Sequence, residues 1–228
     1  MEGFEYIKSN YLALMSEINS LAEKVGREVT LVAVTKSGSD EELLALADAG
    51  VTDVGENRPG ELRRRGDLLK SNGFCPALHE IGNLQRNKVK LIIDDVCLIH
   101  SLDSLSLAKE IDKQAKRVGR RVPVLIEINS AREGQKGGVL PESAEDFLIS
   151  VQGLSGIEVV GLMTMGPVCE SPEDMRPYFR ETKQLFDRLS EKYGFSGGVL
   201  SMGMSDSYAV AIEEGATLVR VGRKLFNK

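Results

Sequence analysis

The chain has 228 residues, 42% hydrophobic and 28% charged, which suits one ordinary soluble domain with a sizeable core, or at most two small ones. A formal net charge of −5 and a pI near 5.3 leave no global attraction to phosphate backbones, so nucleic acid is a poor partner. Cys75, Cys97 and Cys169 are odd in number and lack metal-like spacing, and no run approaches the roughly 20 apolar residues of a membrane span; the expectation is a cytoplasmic protein with free thiols, no zinc and no membrane contact.

In chain order, Glu5 to Val25 places Ile7, Tyr11, Leu14, Ile18, Leu21 and Val25 on one stripe, the spacing of an amphipathic helix. Thr30 to Gly38, TLVAVTKSG, is an apolar run without helical spacing that ends in one lysine and breaks at glycine, so it reads as a strand buried on both faces. DEELLALADAG supplies an acidic first turn and a helix to Gly50. VTDVGEN is a short second strand, and Pro59 opens a helix through ELRRRGDLLKSN whose Arg63, Arg64 and Arg65 point in three directions and read as a solvated face. ALHEIG is the third strand, Arg86 to Ile92 a short helix, VCLIHSL the fourth strand, and SLSLAKEIDKQAKRV an amphipathic helix stopped by Gly119. VPVLIEIN is the fifth strand, followed by the glycine-rich SAREGQKGG loop and a helix opened by Pro141. IEVVGLMTM is the sixth strand, about Ser171 to Lys192 a long helix, VLSMGMS the seventh strand, DSYAVAIEEG its helix and TLVRVG the eighth strand.

Eight short strands alternating with helices, with no linker or composition shift, predict a single (β/α)8 TIM barrel over residues 1–228 rather than an open sheet. Few residues follow the eighth strand, so the N-terminal helix is expected to fill the place of the last barrel helix. Every strand then opens at its carboxyl end on one mouth, where ligands bind in such folds. Lys36 sits there. A lysine in a dry mouth loses solvation for its ammonium, which favours the neutral amine as a Schiff-base nucleophile; the competing reading is a solvated lysine just past a strand. Ser201-Met-Gly-Met-Ser205 leads into a helix near Asp206, so Gly203 permits close backbone approach and the helix amides form a phosphate cradle, joined by Arg220 and Gly222 from the eighth strand. Alternatively these residues only turn the chain and cap a helix. A lysine with a phosphate cradle points to a phosphorylated aldehyde bound as an imine, with pyridoxal 5′-phosphate the obvious candidate.

On LVAVTK at Lys36, GENR at Gly55 to Arg58, H.IG.LQ.NK from His79 to Lys88, the Lys136-Gly137 pair, GLMTM at 161 to 165, SMGMSD at 201 to 206 and VRVG at 219 to 222, the chain resembles the pyridoxal phosphate homeostasis proteins. These are single-barrel relatives of the N-terminal domain of alanine racemase, and the similarity covers nearly the whole chain. The resemblance implies that Lys36 forms the Schiff base, that Ser201, Gly203, Ser205 and Gly222 hold the phosphate, that Arg220 faces the pyridine nitrogen and that Asn57 lies beside the cofactor. Leu78, Glu80 and Asn83 stand where the family usually has Trp, Phe and His, and Asn227 replaces a glycine. Arg223 replaces a small hydroxyl residue; it is expected to pair with the phosphate as a charge-assisted donor, the alternative being that it points away.

Three functions are open on this reading: a protein that holds pyridoxal phosphate reversibly in vitamin B6 homeostasis without turnover, an amino-acid racemase, and a Schiff-base aldolase. The first is favoured, with transient contacts to pyridoxal-phosphate-dependent enzymes as expected partnerships. The racemases it resembles use a tyrosine from a further domain, and none of the five tyrosines here is placed to replace it. His79 and His100 read as hydrogen-bonded structural residues. Met163, Met165, Met202 and Met204 read as packing, and Glu127 ends a strand inside the barrel, where it is either functional or paired with a neighbouring Lys or Arg.

Overall fold

Alternation along each strand sets the plan of the molecule. In β1 (Thr30–Val34), Leu31 and Ala33 pack outward while Val32 turns inward, and the later strands repeat this two-faced burial. The computed structural model describes residues 3–135, 137–195 and 197–228. The remaining strands are β2 (Asp53–Glu56), β3 (Ala77–Glu80), β4 (Leu98–Leu102), β5 (Val122–Ile128), β6 (Ile157–Thr164), β7 (Val199–Ser201) and β8 (Leu218–Val221). All pair in parallel in sequence order, and β8 closes on β1 from Thr30↔Leu218 to Ala33↔Val221. The predicted (β/α)8 barrel is therefore the observed fold.

The helices are α1 (Glu5–Val25), α2 (Asp40–Asp48), α3 (Pro59–Ser71), α4 (Leu105–Arg117), α5 (Ala144–Val151), α6 (Arg176–Tyr193), α7 (Tyr208–Glu213) and α8 (Arg223–Phe226). α1 packs against α2, α7 and α8, filling the gap that a one-turn α8 leaves. Its buried face is Ile7, Tyr11, Leu14, Ile18 and Ala22, with Leu21 and Val25 only half-buried. The Asn10 side chain donates to the carbonyls of Leu225 and Asn227 at 3.2 and 2.8 Å, tying the last residues to this helix.

Several helix starts differ from the sequence reading. Arg86–Leu91, Pro141–Ser143 and Pro172–Met175 are 3₁₀ turns, the last two leading into α5 and α6. α7 begins at Tyr208 rather than near Asp206, because Ser207 and Tyr208 both donate their amides to the Met204 carbonyl and first close a turn. The barrel interior holds Val32, Leu98, Leu125, Val160, Met163 and Leu218, while a larger apolar layer lies between strands and helices.

Candidate functional site

Inward-facing positions one step above that inner core reach the carboxyl ends of the strands, where they line a cavity of about 760 Å³. Val34 and Lys36 come from the end of β1, Asn57 follows β2, Ile81 and Gly82 follow β3, Glu127 comes from β5, Arg220 from β8 and Gly222 just after it. Met204, Ser205, Asp206 and Ser207 form one rim, and Met165, Val168, Cys169 and Met175 part of another.

Lys36 lies in a turn just beyond β1, lines the cavity and is exposed; it has no hydrogen bond or ion pair among the described residues. The dry surroundings expected from the sequence are absent, and what the fold supplies instead is a rigid turn. Arg65, buried on α3, donates from Nη1 to Thr35 O at 2.6 Å and from Nη2 to Gly38 O at 2.7 Å, so its fork grips the chain on both sides of Lys36. Its Nε lies 3.3 Å from Glu56, which also accepts from Thr35 Oγ1 at 2.6 Å. Ser39 then closes a capping box with Glu42 at the start of α2. The arginine run is thus not a uniform solvated face: Arg64 pairs in the open with Asp40 and Glu61, while Arg65 is structural to the lysine turn.

On the β8 side, Arg220 is buried, with Nη1 donating to Ser201 Oγ at 2.5 Å and Nη2 to Thr164 O at 3.1 Å. Burial lowers the guanidinium to about 10, while the Glu127 carboxylate favours its charged form, so it stays a cation at neutral pH. Glu127 is pushed up to about 7 by burial and then by Asp103, with Arg220 opposing. Its side chain makes no hydrogen bond among the described residues. The sequence reading placed it inside the barrel, either functional or paired; it shares the inward parity of Leu125 and lines the cavity.

Six of the eight predicted positions line the cavity: Lys36, Asn57, Ser205, Arg220, Gly222 and Arg223. Ser201 and Gly203 do not. The Ser201 hydroxyl is fully buried beneath Arg220, from which it accepts a hydrogen bond. Gly203 serves the turn: its φ is +92°, and a Cβ there would come within 2.5 Å of Ala211 Cβ and 2.9 Å of Tyr208 Cα. At the start of α7 the Met204 amide donates to Ser207 Oγ, and those of Ser207 and Tyr208 donate to Met204 O. What faces the cavity is the Met204–Ser207 turn together with Gly222, whose amide donates to Ser205 Oγ at 3.4 Å. A Cβ on Gly222 would lie 2.8 Å from Val34 O, so the close approach of β8 to β1 at this wall requires glycine. Lys136 of the Lys136-Gly137 pair lies outside the described residues; Gly137 lines the cavity. Met165 and Met204 also line it, whereas Met163 and Met202 are core.

Arg223 lines the cavity and pairs there with Asp206 across the rim, both side chains being more than half exposed. Exposed pairs contribute little, about 0–1 kcal/mol. Arg223→Ala is therefore expected to change pyridoxal phosphate affinity by less than about fivefold in a fluorescence titration; a loss nearer a hundredfold would mean that the arginine leaves Asp206 for the ligand.

The alanine racemase N-terminal domain family matches residues 10–227. The pyridoxal phosphate homeostasis protein of Aquifex aeolicus is 40% identical over 218 residues, 94% of this chain and 95% of its own length. The chain belongs to the pyridoxal phosphate homeostasis family. The homeostasis protein of Deinococcus radiodurans is 38% identical over 94% of this chain and 97% of its own. Among solved structures, PipY of Synechococcus elongatus with pyridoxal phosphate bound superposes with a TM-score of 0.84 at 26% identity, covering 97% of this chain and 100% of that one. Alanine racemase of Clostridium difficile, at 20% identity and a TM-score of 0.76, shares the fold; the match spans 98% of this chain but 56% of the racemase. Within the homeostasis family, the cavity described above is the candidate cofactor site.

Proposed function

We propose that this protein holds pyridoxal 5′-phosphate reversibly, as a Schiff base on Lys36, and serves intracellular vitamin B6 homeostasis in the cytoplasm without turning over a substrate. The observation that carries this reading is an unpartnered lysine on a clamped turn, opening on a cavity whose β8 wall presents a buried arginine. The residues present suit the group. When bound, pyridoxal phosphate supplies an aldehyde that condenses with a primary amine with loss of water. Lys36 would provide the amine, Arg220 would donate toward the pyridine nitrogen, Asn57 would flank the ring, and Ser205 with the glycine-walled edge at Gly222 would receive the phosphate.

Absence of turnover is supported by Arg220 as well. A guanidinium only donates, so a ring nitrogen beside it stays unprotonated and withdraws electrons weakly. Racemisation further needs an acid–base group on each face of the substrate. Among the described residues lining the cavity there is no tyrosine or histidine, and the Tyr208 hydroxyl accepts from Lys224 Nζ at 2.8 Å in the outer layer. Purified protein is expected to gain a visible absorption band on adding pyridoxal phosphate, and the loaded protein to leave L-alanine without α-deuterium uptake at enzymatic rates in deuterated water. No band with added cofactor would overturn the binding reading. Exchange at ordinary rates, lost in Lys36→Ala, would replace it with the racemase.

A further inference from the structure

Beneath the cavity, polar groups from five strands form one hydrogen-bonded chain through the barrel interior. Arg220 Nη1 donates to Ser201 Oγ at 2.5 Å, and Ser201 Oγ lies 3.0 Å from His100 Nδ1. His100 Nε2 is 3.0 Å from His79 Nδ1, and His79 Nε2 is 2.9 Å from Asp53 Oδ1. The chain thus runs from β8 through β7, β4 and β3 to the first residue of β2, at the opposite end of the barrel from the cavity.

The two ends fix the position of every proton between them. Arg220 can only donate, so Ser201 Oγ accepts from it and turns its own hydrogen to His100 Nδ1. With Nδ1 bare, a neutral His100 carries its proton on Nε2 and donates to His79 Nδ1, and His79 in turn donates from Nε2 to the Asp53 carboxylate. In the reverse order, Ser201 would receive hydrogens from both Arg220 and His100, with no acceptor among the described residues for its own. The charges agree with the forward order. Burial above all, with the neighbouring Arg220 cation acting the same way, holds His100 well below its ordinary value and hence neutral. At Asp53, burial acts upward, but hydrogen bonds from His79 and Thr52 outweigh it and keep the group a carboxylate. Cys97, also close to Asp53, is raised by burial and stays a neutral thiol.

We propose that Asp53 and His100, neither of which lines the cavity, are positioning residues for Arg220: the proton-ordered chain carries a counter-charge through the barrel and holds the guanidinium as a fixed donor facing the cavity. The other groups facing Arg220 are Glu127 and the Thr164 carbonyl, and only the latter is hydrogen-bonded to it. The chain therefore supplies the second of its two anchors, and each polarised link strengthens the next. The role in ligand binding rests on the cofactor reading above; the proton order does not.

Because the chain has only 2 histidines, a sample labelled with ring-¹⁵N histidine shows just four labelled nitrogens. Long-range ¹H–¹⁵N spectra of the cofactor-free protein near neutral pH are expected to show both rings protonated at Nε2, with Nδ1 bare. A proton on His100 Nδ1 would overturn the proton order. Pyridoxal phosphate titrations then test positioning. Glutamine can accept and donate as this histidine does, so His100→Gln should stay within about threefold of the parent, whereas His100→Leu should bind about tenfold or more weakly. Asp53→Asn, which keeps an acceptor but removes the charge at the half-buried far end, should weaken binding about fivefold and guards against a leucine variant that fails to fold. Parental affinity in Asp53→Asn and in folded His100→Leu would refute the positioning role. If the unmodified protein took up no cofactor, the cofactor reading would fall together with that role, while the tautomers would still decide the proton order.

Discussion

Replacing Gly82 with alanine is expected to destabilise the protein by about 3 kcal/mol and to weaken cofactor binding with it. A Cβ at this position would lie 2.2 Å from Asn57 O and 2.7 Å from Asn57 Cα. These are backbone atoms, which cannot turn aside as a side-chain end can, so the carboxyl ends of β2 and β3 would have to part. Both residues line the cavity, so the displacement falls on the site itself. Gly60, on α3, is the internal control: nothing lies within 4 Å of its would-be Cβ, and Gly60→Ala should stabilise by about 0.5–1 kcal/mol through helix propensity. Urea denaturation of the two variants beside the parent measures both effects. A Gly82→Ala protein as stable as its parent would show that the β2 and β3 ends are far more compliant than their packing indicates.

The second large effect is a dependence of stability on pH. Glu80 is fully buried next to Glu56 in the β2–β3 register; Oε1 accepts from Gly82 N at 3.1 Å and Oε2 has no partner. Arg65 lies against Glu56, whereas among the described residues Glu80 has no cation paired with it and keeps its proton. Burial, with a smaller push from Glu56 and an opposing hydrogen bond from Gly82, raises Glu80 from 4.5 to about 8. Between those values the folded protein holds a proton that the unfolded chain has released, so stability is full below about 4.5 and declines as pH rises to about 8. Glutamine reproduces the neutral form. Glu80→Gln should therefore be more stable than the parent by about 2–4 kcal/mol at pH 8–9 and converge on it near pH 5. Glu127, raised to about 7, contributes a smaller slope of the same sign that this variant leaves in place. Thermal melts across this range check the prediction; equal melting temperatures at high pH would mean that Glu80 is ionised in the folded protein.

The sequence disclosed the barrel because each strand carries its own signal: a short apolar run, closed by a turn, with inward and outward positions alternating. Lys36, Arg220 and Gly222 were legible from their places at the strand ends, whereas Asn57 was given by the family resemblance alone; all four line the cavity. Ser201 and Ser205 belong to one motif but fall on different levels, Ser201 still inside β7 and Ser205 beyond its end, and a motif read as a loop does not separate them. Arg65 was illegible for another reason. Three consecutive arginines cover three helix directions, and which one meets buried carbonyls depends on how α3 docks against the end of β1. The two histidines were read correctly as hydrogen-bonded, but their partners come from strands far apart in the chain, and only barrel closure brings His100 to Ser201.

Borohydride reduction of the protein loaded with pyridoxal phosphate, followed by peptide mass spectrometry, tests the central claim most directly, because reduction converts a reversible Schiff base into a stable secondary amine. The pyridoxyl group is expected on Lys36, with Lys36→Ala leaving the cavity unlabelled. Label on another lysine in the unmodified protein, with Lys36 free, would contradict the account.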